Sequence, residues 1–288
     1  MAMKNKRFKL VMSILGIVMT LSLTLTLVFG WKIFIAEVNS ITLKVIKIDS
    51  EVYLYQAIDS NYNGVPDLLS EYSSDEIATI QTGYPENKKE YYTENKAFSY
   101  LGYRYALSSD SSTDEYLTFD LDEIYPTQIK TLKFSAINNS DGTNYASFAF
   151  DSKTYDTTRE VDLLKCMSVR VGKVVNNTCN TSTPDLTSSD ISVEYTDKYY
   201  FADHITTIST AFNVLASEDA YEIKGSVTKD STKNDDVLDL WFQFEMESYD
   251  TLSLNSNFDL TEDEYQALQG QSITLPNLKL TLEIRVDD

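Results

Sequence analysis

The residues best spaced for chemistry lie between Asp59 and Glu71, in the run Asp-Ser-Asn-Tyr-Asn-Gly-Val-Pro-Asp-Leu-Leu-Ser-Glu. Oxygen-bearing side chains at Asp59, Asn61 and Asn63, followed by Gly64, repeat the one-three-five-six spacing of a calcium loop. Alternate residues turn oxygens inward, and the glycine permits the sharp bend. Val65 offers its carbonyl, and Asp67 binds directly or through water. Position twelve is Ser70, and the closing acid comes one residue late, at Glu71. The expected metal set is Asp59, Asn61, Asn63, Val65, Asp67 and Glu71, with calcium as the one cofactor in view. A metal-free Asn-Gly turn accounts for the same residues.

Other chemistry-bearing residues are sparse. His204 is the only histidine, next to Asp203, and no nucleophile elbow or Gly-rich phosphate loop accompanies it. No His-Glu-x-x-His run supports a zinc protease. The catalytic set read from the sequence is therefore empty, and no enzyme activity is expected. Cys166 and Cys179 are the only cysteines. Outside a membrane they would close a short disulfide loop, and in a reducing envelope they would stay as two thiols. The 20 tyrosines cluster at Tyr91-Tyr92, Tyr100 to Tyr105 and Tyr199-Tyr200. They suit either a sheet surface or a recognition patch.

The elements that must position these residues are mostly strands. Leu278, Leu280, Leu282, Ile284 and Val286 alternate with polar residues, which reads as a strand with one wet face. Leu240, Phe242, Phe244 and Met246 alternate with Trp241, Gln243 and Glu245; Met167, Val169 and Val171 alternate with Ser168, Arg170 and Gly172. Leu132–Ala136 and Ala146–Phe150 are two more, joined through the turn-rich Asn138–Gly142, which holds an Asp-Gly pair. Further strands are expected at 41–48, 52–58, 117–121, 191–195, 205–214 and 221–228. Helix signals are few. Thr261 caps a helix to Gln269, with Glu264 closing a capping box and Gly270 ending it, and residues 70–80 form a second. The fold class is thus mainly β, an antiparallel jelly-roll-like sandwich with one or two short helices.

The start of the chain is of another kind. Lys4, Lys6, Arg7 and Lys9 precede an apolar run of 20 residues, Leu10–Phe29. At about 1.5 Å per residue this run spans ~30 Å, enough to cross a bilayer. The basic flank stays cytoplasmic, so the rest is delivered outside. A signal anchor needs only that length; a cleaved signal peptide needs a processing site, for which Val28-Phe29-Gly30 is the best match. Residues 1–36 form this targeting segment and 37–288 the ectodomain. Five of the 24 basic residues and none of the 44 acidic ones precede Glu37, leaving 19 basic against 44 acidic and a charge of −25. That field repels nucleic acid. With 42% apolar and 12% aromatic residues the acidic part is no disordered tail.

Three stretches resemble the TasA and camelysin-like secreted β-sandwich proteins of Gram-positive bacteria. The first is the basic-apolar start running into a strand at Ile41–Ile48. The second is Asp120–Pro126 leading into Lys130–Asn139. The third is Tyr265–Ile273 before the final alternating strand. The resemblance implies a domain that assembles into surface fibres, and it carries over no catalytic residue. The expectation is a non-enzymatic cell-envelope protein of structural or adhesive type. It would meet the membrane through residues 10–29 and partner its own copies or an envelope protein or glycan. The alternatives are an extracellular binding module for a glycan, peptide or calcium, and an envelope hydrolase. It would sit in the cell membrane with its C-terminal domain outside, or at the cell surface if the N-terminal helix is removed.

Overall fold

The computed structural model describes residues 48–84, 95–109, 112–117, 120–150, 157–174, 193–205, 221–225, 227–228, 236–275 and 278–283. The chain divides after Val45, and all of these residues belong to the unit Ile46–Asp288. The apolar run Leu10–Phe29 and the strand expected at 41–48, apart from Ile48, lie outside the described residues. Among the described residues no helix is long and apolar enough to cross a membrane.

In chain order the elements are β1 (Ile48–Ala57), α1 (Ser74–Ile80), β2 (Phe98–Ser109), β3 (Ser112–Leu117), β4 (Asp120–Ile124), β5 (Ile129–Asn138) and β6 (Asn144–Phe150). Then come α2 (Thr158–Lys165), β7 (Met167–Val174), β8 (Val193–Tyr195), β9 (Tyr199–Tyr200), β10 (Tyr221–Ile223) and β11 (Val237–Met246). The chain continues with α3 (Tyr249–Leu252), α4 (Glu262–Gln266), β12 (Gln271–Thr274) and β13 (Leu278–Glu283). The protein is mainly β, and its sheets are antiparallel. The largest sheet runs β2-β1-β5-β11-β7-β8, with β9 also on β7; a second runs β10-β6-β13-β3, and β12 pairs with β4.

The alternating apolar residues meet in one core. Phe134 and Phe242 from the large sheet pack edge-to-face at 5.2 Å, and Phe148 of β6 reaches Phe242 at 5.1 Å. Phe150 joins them against Phe242 and Phe244, each at 6.1 Å. Leu278, Leu280 and Leu282 of β13 complete this layer, as their spacing predicts. Ile284 and Val286 lie outside the described residues.

Several expectations are corrected. Asn138–Gly142, the turn-rich loop between two expected strands, carries the chain from β5 in the large sheet to β6 in the second sheet. Asn138 is a buried hub: its Nδ2 donates to the carbonyls of Gly142 and Ile223, and its Oδ1 accepts from Ser140 and Asn144. That network turns the chain from one sheet to the other. The segment expected as one strand at 117–121 is divided between β3 and β4, and 221–228 stops at Ile223 before a turn. Residues 206–214 lie outside the described residues, and Ile205 is not in a strand.

Four short α-helices, besides the 3-10 turns Leu69–Glu71 and Phe201–Asp203, appear among the described residues, against one or two expected. The unforeseen α2 carries the same Thr-x-x-Glu box as α4: Thr157 Oγ1 accepts from the N–H of Glu160, whose carboxylate accepts the N–H of Thr157. It buries Val161, Leu163 and Leu164. α1 begins on the equivalent Ser73–Glu76 box. Past the end of α4, Gly270 at φ +71° sends its N–H to Ile124 O at 2.7 Å, leading the chain into β12 beside β4.

Phe242 touches three other phenylalanines, so Phe242→Ala should cost about 3–5 kcal/mol of unfolding free energy. Urea unfolding followed by fluorescence checks this; a loss under ~1 kcal/mol would mean that the layer repacks freely.

Candidate cation site

The loop singled out in the sequence leaves the end of β1 and lies on the outer side of the large sheet. Its base is closed by a backbone ladder in which Ile58 N donates to Ala97 O, Asp67 N to Ile58 O, and Ala97 N to Asp67 O, at 2.8–2.9 Å. Within the loop each early oxygen ligand accepts a nearby backbone N–H. Asp59 Oδ2 takes Gly64 N at 2.7 Å, Asn61 Oδ1 takes Asn63 N at 3.1 Å, and Asn63 Oδ1 takes Val65 N at 2.7 Å. Tyr62 and Gly64 both have positive φ, +55° and +85°. The chain is wound tightly enough to need a glycine at the second of these positions.

Two side chains of the central strands hold the loop down. Gly64 O accepts from Thr131 Oγ1 of β5 at 2.8 Å and from Gln243 Nε2 of β11 at 2.5 Å. Ile129 N donates to Tyr62 O at 2.9 Å, and Asn63 forms a bridge with Ile129. Gln243 is itself fixed from the other side, because its Oε1 accepts from Arg170 Nε at 2.7 Å while the Arg170 guanidinium lies over the Tyr195 ring. A Cβ at Gly64 would lie 2.6 Å from Ile129 Cγ2 and 2.9 Å from Gln243 Nε2. Close approach and positive φ therefore both demand glycine.

The structure assigns the expected ligands different roles. Asp59 has one oxygen on Gly64 N, while Oδ1 is buried with no hydrogen-bond partner. A buried carboxylate oxygen left unpaired costs free energy unless a cation or water meets it. Asn61 and Asn63 keep their oxygens in the loop, and Val65 is exposed. Asp67 is engaged elsewhere: Oδ2 accepts from Ser60 N at 3.1 Å and Tyr72 OH at 2.7 Å, and Oδ1 accepts from Ser60 Oγ at 3.3 Å. Glu71 sits in a 3-10 turn, Leu69–Glu71, with an exposed side chain. Among the described residues, no three His, Cys, Asp or Glu side chains gather in a metal-binding group. The chemistry available at the loop is thus one carboxylate with amide and carbonyl oxygens, a hard-oxygen set of low charge that suits calcium rather than zinc.

The other candidates take structural places. His204 stacks on Tyr199 at 4.2 Å, and burial holds its imidazole below the usual value against the opposing pull of Asp203. Asp203 Oδ1 accepts from the amides of Asn255 and Asn257. Cys166 is a buried free thiol whose Sγ donates to Asp162 O; burial pushes it up to about 12, leaving it unreactive at neutral pH. Cys179, its expected partner, lies outside the described residues, as do Tyr91 and Tyr92. Tyr100 packs on Tyr53 and Tyr55 rather than facing solvent alone. Thr131 and Gln243, which clamp the loop, are the site residues that sequence reading missed. Nothing local marks them, since their partner is a backbone carbonyl far away in sequence.

Comparison with protein-family models, with curated proteins and with solved structures finds no match to this chain.

Two outcomes test the geometry. Gly64→Ala should destabilise the fold by roughly 1–3 kcal/mol, the range for a residue forced into a strained backbone region; a neutral result in urea unfolding would mean that the loop is not clamped. Tyr72 is pushed up to about 12, first by burial and then by its bond to Asp67. Its phenol therefore stabilises the fold fully below pH 10 and loses that contribution as pH climbs toward 12. Tyr72→Phe should flatten the alkaline fall in stability across that window, and an unchanged slope would contradict the assignment.

Proposed function

We infer that this is a non-enzymatic cell-envelope protein of structural or adhesive type, with a jelly-roll-like sandwich domain stiffened by calcium at the Asp59–Asp67 loop. The observation that carries the reading is Asp59 Oδ1, a buried carboxylate oxygen without a partner in a loop whose other early oxygens are already turned and fixed. One carboxylate among neutral oxygens makes a weak site. Extracellular calcium modules work at dissociation constants of ~10⁻⁴–10⁻³ M. Such a site is useful only where calcium is plentiful, and export through Leu10–Phe29 would deliver the domain there.

The sandwich half of the reading is supported by the aromatic layer in which Phe148 and Phe150 of one sheet meet Phe242 of another. The resemblance to TasA and camelysin-like proteins points the same way and adds self-association into fibres. The ectodomain charge of −25 favours cations and basic or glycan surfaces over nucleic acid. If the N-terminal helix is kept, the domain is tethered to the membrane; if it is removed, the domain is released to the cell surface.

Thermal and urea unfolding with calcium and with a chelator test this. Calcium at a hundredfold excess over its dissociation constant should add about 2.7 kcal/mol, and Asp59→Ala should abolish that increment. No stabilisation up to ~10 mM, tenfold above the weak end of the extracellular range, would overturn the calcium reading. Electron microscopy of the same samples should show assemblies, and a strictly monomeric protein with and without calcium would overturn the fibre reading.

A further inference from the structure

A second cluster of chemistry lies on the same outer face of the large sheet, among residues the loop does not use. Lys133 of β5 and Asp239 of β11 are neighbours across the two central strands. In the register Ser135 faces Asp239 and Lys133 faces Trp241, so the lysine and aspartate are diagonal on one face. Lys133 Nζ lies 3.5 Å from Asp239 Oδ2, and their side chains are only 2% and 0% exposed. Ser135 Oγ donates to the other carboxylate oxygen, Oδ1. Aromatic rings close the space above: Nζ is 5.1 Å from the Phe98 ring centre and 5.8 Å from that of Tyr55. The indole N–H of Trp241, opposite Lys133, is buried without a hydrogen-bond partner. The enclosure therefore holds a nucleophilic amine precursor, a carboxyl group, a hydroxyl donor on that carboxyl, and walls that keep water out.

The geometry points to a modification site: Lys133 and Asp239 condense into an intramolecular amide that ties β5 to β11. The ammonium passes one proton to the carboxylate, giving an amine and a carboxylic acid in contact. Nζ then bonds to Cγ, with Ser135 donating to the oxygen that gathers negative charge. The Cγ–OH bond breaks, and the hydroxyl leaves as water with a second proton from Nζ. One water is lost, and no oxidant or energy donor is consumed. Two features favour the step. A buried ion pair bears a desolvation penalty that the neutral amide does not. Holding amine and carboxyl in contact replaces a bimolecular encounter with an intramolecular one, and the dry surroundings oppose hydrolysis. The cross-link would make the two central strands inseparable, which suits a domain that bears load, and it does not depend on calcium.

Mass spectrometry of the full chain, unfolded, reduced and digested with trypsin, tests this directly. The expected product is a branched peptide joining the segments around Lys133 and Asp239, lighter by one water than their sum, with no cleavage after Lys133. Lys133→Arg and Asp239→Ala should each lose the branched species and migrate more slowly on a denaturing gel. The wild-type digest decides even if the variants fold poorly. Linear peptides alone, with cleavage after Lys133, would overturn the proposal and leave the pair as a buried salt bridge.

Discussion

The carbonyl of Gly64, gripped from below by Thr131 and Gln243, is the contact on which the arrangement of this domain turns. It joins a surface loop to β5 and β11, the two strands at the centre of the largest sheet. Antiparallel sheets commonly leave one face to water. Here both faces of the central pair are covered: one by the phenylalanine layer, the other by the loop and by Phe98, which packs on Trp241 in the aromatic group with Tyr53 and Tyr55. The polar side chains of that second face must then satisfy one another or the cover above them. Gln243 does so through Gly64 and Arg170, Thr131 through Gly64, and Lys133 and Ser135 through Asp239.

That cover explains what the sequence could and could not reveal. Period-two alternation in 240–246 and 278–282 correctly marked strands and the apolar layer. It also marked Trp241 and Gln243 as a wet face, and both are buried. Gln243 is capped by Gly64 of the loop and Trp241 by Phe98 of β2, both far away in sequence, and periodicity reports nothing about distant cover. The helix start at Thr261 was legible because a capping box is local chemistry, whereas the second helix, expected over 70–80, begins on the box at Ser73–Glu76. The box at Thr157–Glu160 is a local signal of the same kind, followed by Val161, Leu163 and Leu164, which α2 buries. The Asp-Gly pair at 141–142 marks a turn-rich loop but not the crossing to another sheet, in which Asn138 takes part through partners that include Ile223. The loop at Asp59 was legible as a motif. Its clamp was not.

Charge and fold fit together at this loop. Residues 37–288, with 19 basic against 44 acidic side chains, repel one another, which favours solubility and works against compactness. A divalent cation at Asp59 would offset one such carboxylate where it is buried, and the loop that holds it also seals the outer face of the central strands. Loss of the cation would therefore be felt at Gly64 and passed through Gln243 and Thr131 to β11 and β5. Stiffness would depend on the medium outside the cell, a reasonable property for a protein proposed to serve as envelope scaffold.

The most direct test is crystallographic, with crystals grown in calcium and anomalous scattering used to locate the ion. The account predicts an anomalous peak ~2.3–2.6 Å from Asp59 Oδ1, with the side-chain oxygens of Asn61 and Asn63 as further ligands. An Asp59 Oδ1 that meets only water or a protein donor, with no ion in the loop at saturating calcium, would contradict it.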